Sequence, residues 1–181
     1  MKRVVIIIFL TNILLFAYSY DDFLLKTQAK IYPKLILLDK KIDKKLIDGK
    51  IQVGIVYDND DFFTALLIKK LIKSMYGNKL DGYSFKIIPI NMLNILNEKL
   101  NIFSYLYILK SIPDRLKTLS LYVKKYRIVT FTYDKNDLQY GFLFSINLEK
   151  KPILYMNRKA LEKEFDFVPS LFQIVRLIDN V

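Results

Sequence analysis

The sequence contains no cysteine and no histidine among its 181 residues. Without cysteine there can be no disulfide framework and no thiolate nucleophile. Without histidine the chain lacks the commonest general base and, together with the missing cysteine, the usual ligands of zinc, copper and haem. Few enzyme classes remain, so the composition predicts a protein that is not an enzyme and that holds no metal or cofactor.

Glycine and proline are also scarce, with five of each. Long flexible linkers are therefore not expected, and no internal repeat or low-complexity tract divides the chain. Hydrophobic residues make up 52% and aromatic residues 14% of the sequence, which is enough for a hydrophobic core without covalent cross-links. The sequence predicts one compact domain over residues 20–181.

Residues 1–19 have the order of a secretory signal. Two basic residues come first, an apolar run follows over residues 4–16, and Ala17 and Ser19 are the small residues that signal peptidase requires. An uncleaved membrane anchor is the alternative, but an anchor needs about 20 continuous apolar residues and this run is shorter. We therefore predict a cleaved signal peptide and an exported protein.

The formal net charge of the chain is +11. A basic surface suits nucleic acid, anionic lipid or an acidic partner. The lysines, however, occur singly or in pairs between apolar residues, without the long blocks of like charge that mark a binding tail. We interpret them as scattered over solvent-exposed faces, and the predicted export argues against nucleic acid as a partner.

Strand and helix patterns alternate along most of the chain. The predicted strands are 51–57, 83–90, 103–109, 127–133, 140–148 and 151–156. The predicted helices are 21–38, 62–75, 91–100, 113–125, 157–165 and 171–177, and Pro33 should kink or end the first of them. The alternation predicts an α/β fold with a mainly parallel sheet of about five to six strands, flanked by helices, and a C-terminal hairpin at one sheet edge.

In the C-terminal third, Phe142–Asn147 and Pro152–Ala160 have the order of a hydrophobic strand, a turn, and a strand that leads through an asparagine into a helix with alanine three residues later. This order resembles the YfiR-like family. The segment from Pro169 to Leu177 is similar to the short helix that ends the family, so the resemblance is most specific over Phe142–Leu177. Upstream, Ile55–Asp58 matches the first strand more loosely.

The resemblance implies a periplasmic α/β protein, often a homodimer. The best understood members hold an inner-membrane diguanylate cyclase in check by binding its periplasmic sensor region. The chain departs from the family at two points, since it has no cysteine and carries Lys150 and Lys151 where a glycine commonly precedes the second strand of the hairpin.

The densest acidic group is Asp58, Asp60 and Asp61, directly after the first strand of the predicted domain. At a topological switch point of an open α/β sheet, these acids would contact a ligand, or would supply oxygen ligands to a hard cation. The alternative is that they cap the next helix and compensate its dipole. The glycine-rich fingerprint of dinucleotide-binding proteins is absent from this turn.

Two further groups are candidate sites. Asn157 and Arg158 follow a strand, where Arg158 could hold a phosphate or carboxylate at a helix N-terminus while Asn157 caps that helix. Leu171, Phe172 and Val175 give the final predicted helix apolar residues over more than one face, which indicates either core packing or a surface for a dimer or a partner.

These observations lead to two hypotheses of function. The first is a non-catalytic regulatory protein that binds the periplasmic part of an inner-membrane signalling protein, such as a diguanylate cyclase, and shifts its balance between active and inactive states. The second is a periplasmic small-molecule binding component of a transporter or sensor. An enzyme is the weakest alternative, because no nucleophile, base and oxyanion site assemble in the sequence.

Overall fold

The computed structural model describes residues 20–97, 102–161 and 165–179. The predicted signal peptide lies outside these residues. Within the described ranges no helix is both long enough and apolar enough to cross a bilayer. The helices are α1 Asp22–Ile36, α2 Phe62–Tyr76, α3 Met92–Asn97, α4 Pro113–Tyr126 and α5 Leu171–Ile174. The strands are β1 Lys50–Tyr57, β2 Lys79–Leu80, β3 Tyr83–Asn91, β4 Tyr105–Ile108, β5 Val129–Thr132, β6 Phe144–Leu148, β7 Pro152–Asn157 and β8 Val175–Ile178.

All eight strands form one sheet in the order β2-β3-β1-β4-β5-β6-β7-β8. The pairs β3–β1, β1–β4, β4–β5 and β5–β6 are parallel, which confirms the mainly parallel α/β sheet. The sheet is larger than the five to six strands predicted, because the short strand β2 pairs with β3 and β8 is added beside β7. The order of the five parallel strands is that of the flavodoxin-like doubly wound sheets.

Helices cover both faces of the sheet. The core on one face contains buried residues of α1 and α2, and the core on the other contains buried residues of α3 and α4. The central strand β1 is buried along Ile51–Val56, so both sides of its pleat face a helix layer. This double burial explains why β1 is apolar on both sides of its pleat, with Gln52 as the one polar side chain of the buried stretch.

Helix α1 runs through Pro33 to Ile36, so the expectation that it ends at the proline is wrong. Tertiary contacts on both sides of Pro33 outweigh the missing N–H group. The amide of Gln28 donates to the carbonyl oxygens of Tyr133 and Ile146 at 2.9 and 2.8 Å, and the hydroxyl of Tyr32 donates to the carbonyl of Thr132 at 2.7 Å. These bonds fix the helix across β5 and β6.

The C-terminal hairpin is present, with β6 antiparallel to β7 from the Phe144–Met156 pair to the Leu148–Pro152 pair. It does not form the sheet edge, because β8 runs parallel to β7 on its outer side. The predicted helix over 171–177 is therefore wrong after one turn. The branched side chains of Val175 and Ile178 favour a strand, and the open side of β7 supplies the partner.

The helix predicted after β7 is shorter than expected. The chain after β7 forms a 3-10 turn, Arg158–Ala160, where a helix over 157–165 was predicted. Residues 162–164 lie outside the described ranges, as does the end of the predicted helix over 91–100. The chain after β5 likewise forms a 3-10 helix, Lys135–Tyr140, within which the predicted strand 140–148 would have begun.

Candidate functional site

The carboxyl ends of β1 and β4 lie at the topological switch point of the sheet. After β1 the chain continues to β3, which lies on one side of β1 in the sheet. After β4 it continues to β5, which lies on the other side. The connections that leave β1 and β4 therefore diverge between these two strands. Open α/β sheets bind ligands in the crevice at such a point. Asp58, Asp60 and Asp61 are all at this edge, as their position after β1 predicts.

Asp58 is held by α4 and by the loop before it. Its Oδ1 forms an ion pair with the guanidinium of Arg115, and its Oδ2 accepts a hydrogen bond of 2.7 Å from the hydroxyl of Ser111. The side chain of Asp58 is 4% exposed and that of Arg115 is 26% exposed. The carboxylate therefore bridges the ends of β1 and β4, and both of its oxygens have a protein partner.

Asp61 joins the beginnings of two helices. Its Oδ2 accepts a hydrogen bond of 2.6 Å from the hydroxyl of Tyr20, and that hydroxyl accepts one of 3.1 Å from the backbone N–H of Lys110. Burial raises the pKa of the Asp61 carboxyl, while the bond from Tyr20 opposes that rise. Neither Asp58 nor Asp61 makes a side-chain hydrogen bond that caps the helix after it, so the capping part of that alternative is wrong for both. Asp60 is exposed to solvent.

Aromatic rings surround Lys110 at the same edge. The Lys110 ammonium lies 5.4 Å from the ring centre of Tyr20 and 5.3 Å from that of Tyr133. The two rings meet edge to face at 4.7 Å. The hydroxyl of Tyr133 in turn accepts a hydrogen bond of 2.7 Å from the backbone N–H of Asp21. The positive charge of the ammonium group is attracted to both rings, and this attraction stabilises the packing at this edge.

Asp137, in the 3-10 helix after β5, was not identified by the sequence. It is buried, and its Oδ2 has no hydrogen-bond partner among the described residues. Burial, reinforced by repulsion from Asp134 and opposed by the charge of Lys110, raises the pKa of Asp137 from 3.8 to about 7. A carboxyl with this pKa changes between its protonated and its ionised form near neutral pH. The sequence alone gave little sign of this burial, because Leu138 is the only aliphatic residue among Lys135, Asn136, Leu138 and Gln139 around it.

The acidic side chains at this edge bond mainly to other groups of the protein. Asp58 and Asp61 are engaged in bonds to Arg115, Ser111 and Tyr20. Within the described residues no three acidic side chains are grouped so as to hold a metal ion. The group of this edge that can exchange a proton near neutral pH is Asp137.

Asn157 and Arg158 lie at the amino ends of the parallel strands, opposite to the acids after β1, because β7 runs antiparallel to β6. The Oδ1 of Asn157 accepts hydrogen bonds from the backbone N–H groups of Lys159 and Ala160, and its Nδ2 donates to the carbonyl of Leu138. It is therefore a cap, here of a 3-10 turn. Arg158 forms an exposed ion pair of 3.2 Å with Asp179. The structure thus separates these two residues from the acids after β1.

A cavity of about 200 Å³ lies near Asn157 at this amino edge. Its wall includes Lys124, Arg127, Lys159 and Phe165. Arg127 also lines two adjoining depressions that Lys44 and Lys45 share. Arg127 ends α4 with a φ of 55°, the left-handed region that favours glycine, so an arginine is held there at some conformational cost. The amino edge is consequently basic.

The three partner-surface candidates have different environments. Leu171 is 0% exposed and packs in the core, so its assignment to a surface is wrong. Its side chain faces inward because α5 is a single turn whose inner side rests on the sheet. Phe172 is exposed and Val175 is half-buried. Ile174, which was not among the candidates, is 61% exposed.

A shallow groove of about 450 Å³ lies beside these residues, between the start of β7 and the α5–β8 segment. Its wall includes Ile153, Ile174 and Val175. In the described residues β8 is hydrogen-bonded only to β7, so its outer edge is open. Arg176 lies across Tyr155 of β7, with its guanidinium 5.3 Å from the ring centre and an ion pair of 3.1 Å to Glu149.

Comparison with known proteins gives the fold and nothing finer. No protein-family model matches the chain, and no curated protein matches it. Among solved structures, it is similar to a conserved domain protein from Vibrio cholerae O1 biovar El Tor str. N16961, with a TM-score of 0.59 and 10% sequence identity. The similarity covers 84% of this chain and 59% of the Vibrio chain. This chain therefore matches less than two thirds of that structure.

Proposed function

We propose that the chain is an exported, non-catalytic regulatory protein that docks on the periplasmic part of an inner-membrane signalling protein, of the diguanylate cyclase class. The proposal joins the predicted signal peptide over residues 1–19 with the resemblance to the YfiR-like family. It assigns the docking surface to the C-terminal edge of the sheet, which we define as α5, β8 and the groove beside them.

The observation that carries the proposal is the open outer edge of β8. Its unpaired N–H and C=O groups can add a strand of a partner, as in other complexes that extend a sheet. Ile174 and Phe172 precede this edge with exposed apolar side chains, and Leu177 lies within it, also exposed. A partner strand would find backbone bonds and apolar contacts in the same place, which is what a specific interface requires.

Regulation by docking requires a difference in affinity between two states of the partner. The C-terminal edge would bind the inactive state more tightly if the partner exposes a free strand, or a matching apolar surface, only in that state. A second copy of this chain could occupy the same edge as a homodimer. Dimer formation and docking would then compete for β8.

The test is a pull-down from detergent-solubilised envelope with the wild-type chain and with Leu177→Asp. We expect the wild type to recover a membrane protein with a periplasmic sensor region, and the variant to lose it. Leu121→Asp is the matched control, because Leu121 is also exposed but lies on α4. Cells that lack the chain should contain more cyclic di-GMP, and the wild-type gene but not the Leu177→Asp gene should restore the lower level.

A small-molecule binding component is the second candidate, and Asp137 is the observation that favours it. Among the described residues its buried Oδ2 atom, in the segment after β5, has no hydrogen-bond partner and is available to a ligand with a donor group. A wild-type chain that recovers no membrane protein, but gains thermal stability with a metabolite in a manner that Asp137→Asn abolishes, would replace the regulatory proposal with this one.

A further inference from the structure

Helix α2 leaves much of its apolar surface uncovered. Phe62, Phe63, Leu66 and Leu67 are all exposed, and Phe63 is 80% exposed. The buried residues of α2 are Ala65, Ile68 and Ile72. The helix is therefore apolar on the side that faces the sheet and again, in its first two turns, on the side that faces solvent. A monomer gains nothing from the second surface.

Helix α1 extends this surface, since it lies beside α2 in the same layer and runs in the same direction. Tyr20 and Asp61 join the beginnings of the two helices, and the hydroxyl of Tyr76 near the end of α2 donates to the backbone carbonyl of Lys30 in α1. Phe23, in the first turn of α1, is 64% exposed. We define the two-helix face as the exposed side chains of α1 and α2.

The charges of the two-helix face are mostly positive. The two helices contain six lysines and no arginine, and Asp22 is their only acid. Two more exposed acids, Asp21 and Asp60, lie just before the helices. Apart from Met75, the large exposed apolar side chains are at the beginnings of the helices, and most of the lysines follow in the later turns. Five lysines are exposed and Lys69 is half-buried; the exposed ones are Lys26, Lys30, Lys34, Lys70 and Lys73.

We propose that the two-helix face binds the surface of an anionic phospholipid bilayer. Phe63, Phe23 and Leu67 would enter the boundary between headgroups and acyl chains, and the lysines would contact the headgroup phosphates. Phenylalanine and leucine beside lysine are the residues of helices that lie in a membrane interface. Lysine is depleted and arginine enriched in protein interfaces, which is the reverse of this face.

The lysines suit a bilayer for a further reason. Each long alkyl stem can rest on the apolar boundary while its ammonium group stays in water among the phosphates. Clustered lysines next to an anionic surface add attraction that falls within a Debye length and weakens in salt. The proposal does not depend on docking at the C-terminal edge, because the two surfaces use different elements.

The test is co-sedimentation of the full chain with vesicles of phosphatidylcholine alone, and with vesicles of equal parts phosphatidylcholine and phosphatidylglycerol. We expect binding to the anionic vesicles that weakens as salt is added. Phe63→Ser combined with Leu67→Ser should weaken that binding about tenfold, because two apolar side chains no longer enter the boundary. Lys70→Glu combined with Lys73→Glu should weaken it similarly and reduce its dependence on salt.

Leu121→Ser combined with Lys125→Glu, on α4, is the control and should bind as the wild type does. A retained signal segment would bind both kinds of vesicle in every variant, so it cannot produce the expected pattern. Equal binding of all variants to the anionic vesicles would overturn the proposal. A second outcome would also overturn it: the variant with Phe63→Ser and Leu67→Ser no longer recovers a membrane protein in the pull-down, but binds vesicles as the wild type does. The two-helix face would then be a protein-docking surface.

Discussion

Arg115 in the first turns of α4 forms an ion pair with Asp58 at the end of β1, and so joins the two sides of the switch point. Ser111, which precedes α4, donates to the other carboxylate oxygen of Asp58. The Asp58 side chain is almost completely buried. Breaking a buried pair by removing one partner leaves the other charge without compensation, which is more costly than removing both.

We therefore expect Asp58→Ala to lower the free energy of unfolding by about 2 to 4 kcal/mol. Asp60→Ala is the matched control, since it removes an exposed acid two positions further on, and it should change stability by less than about 0.5 kcal/mol. Urea denaturation followed by circular dichroism measures both. Equal effects of the two substitutions would show that the Arg115 pair contributes little.

The pKa of Asp137 predicts an unusual dependence of stability on pH. In the unfolded chain this carboxyl loses its proton near pH 3.8, whereas in the folded chain it keeps the proton up to about pH 7. Between these values the folded state binds more protons, so the contribution of Asp137 to the free energy of unfolding falls as pH rises. Above about pH 7 the loss is complete.

Asp137→Asn should remove this contribution. Asparagine is neutral at every pH, so the variant should gain stability relative to the wild type between pH 5 and pH 8, by up to about 4 kcal/mol. Thermal unfolding at a series of pH values measures the difference. A difference that is constant over this range would mean that Asp137 already releases its proton at low pH in the folded protein.

Gly54 in the centre of β1 permits close contact with β4. A Cβ atom at this position would lie 2.7 Å from Cδ2 of Leu106, its register partner in β4, and 3.1 Å from the ring of Phe103. Gly54→Ala should therefore lower the free energy of unfolding by about 1 to 3 kcal/mol through overpacking. In a Leu106→Val background, which lacks the Cδ2 atom, the same substitution should cost less. Equal costs in both backgrounds would place the strain elsewhere.

The sequence predicted the centre of the fold more accurately than its edges. Strands β1 and β4 are buried on both faces, so each carries apolar residues on both sides of its pleat, and this pattern can be recognised locally. The segment from Leu171 to Ile178 contains apolar residues at helical spacing and also branched residues that favour a strand. The outcome depends on the open side of β7, a contact that no local pattern contains.

The candidate site shows the same division. The position of Asp58 after a buried strand located it correctly at the switch point. Its partners Ser111 and Arg115 are more than 50 positions away in the chain, so their role could not be predicted without the register of β1 and β4. The burial of Asp137 depends on the packing of the 3-10 helix after β5, which the sequence did not indicate.

Leu171 and Phe172 provide the last prediction, because they are adjacent in one helical turn and have opposite environments. Leu171 is completely buried, and Phe172 is 43% exposed. Leu171→Ala should lower the free energy of unfolding by about 2 to 5 kcal/mol, since it leaves a cavity in the core. Phe172→Ala should change stability by less than about 1 kcal/mol, because much of the ring already contacts water.

The two substitutions should differ again in docking, which separates a surface role from a structural one. If α5 belongs to the docking surface, Phe172→Ala weakens recovery of the membrane partner in the pull-down although the chain remains as stable as the wild type. Leu171→Ala should lower recovery only as far as it lowers the folded fraction, so cooling should restore it. A Phe172→Ala chain that recovers the partner as well as the wild type does would remove α5 from the docking surface and leave β8 alone in that role.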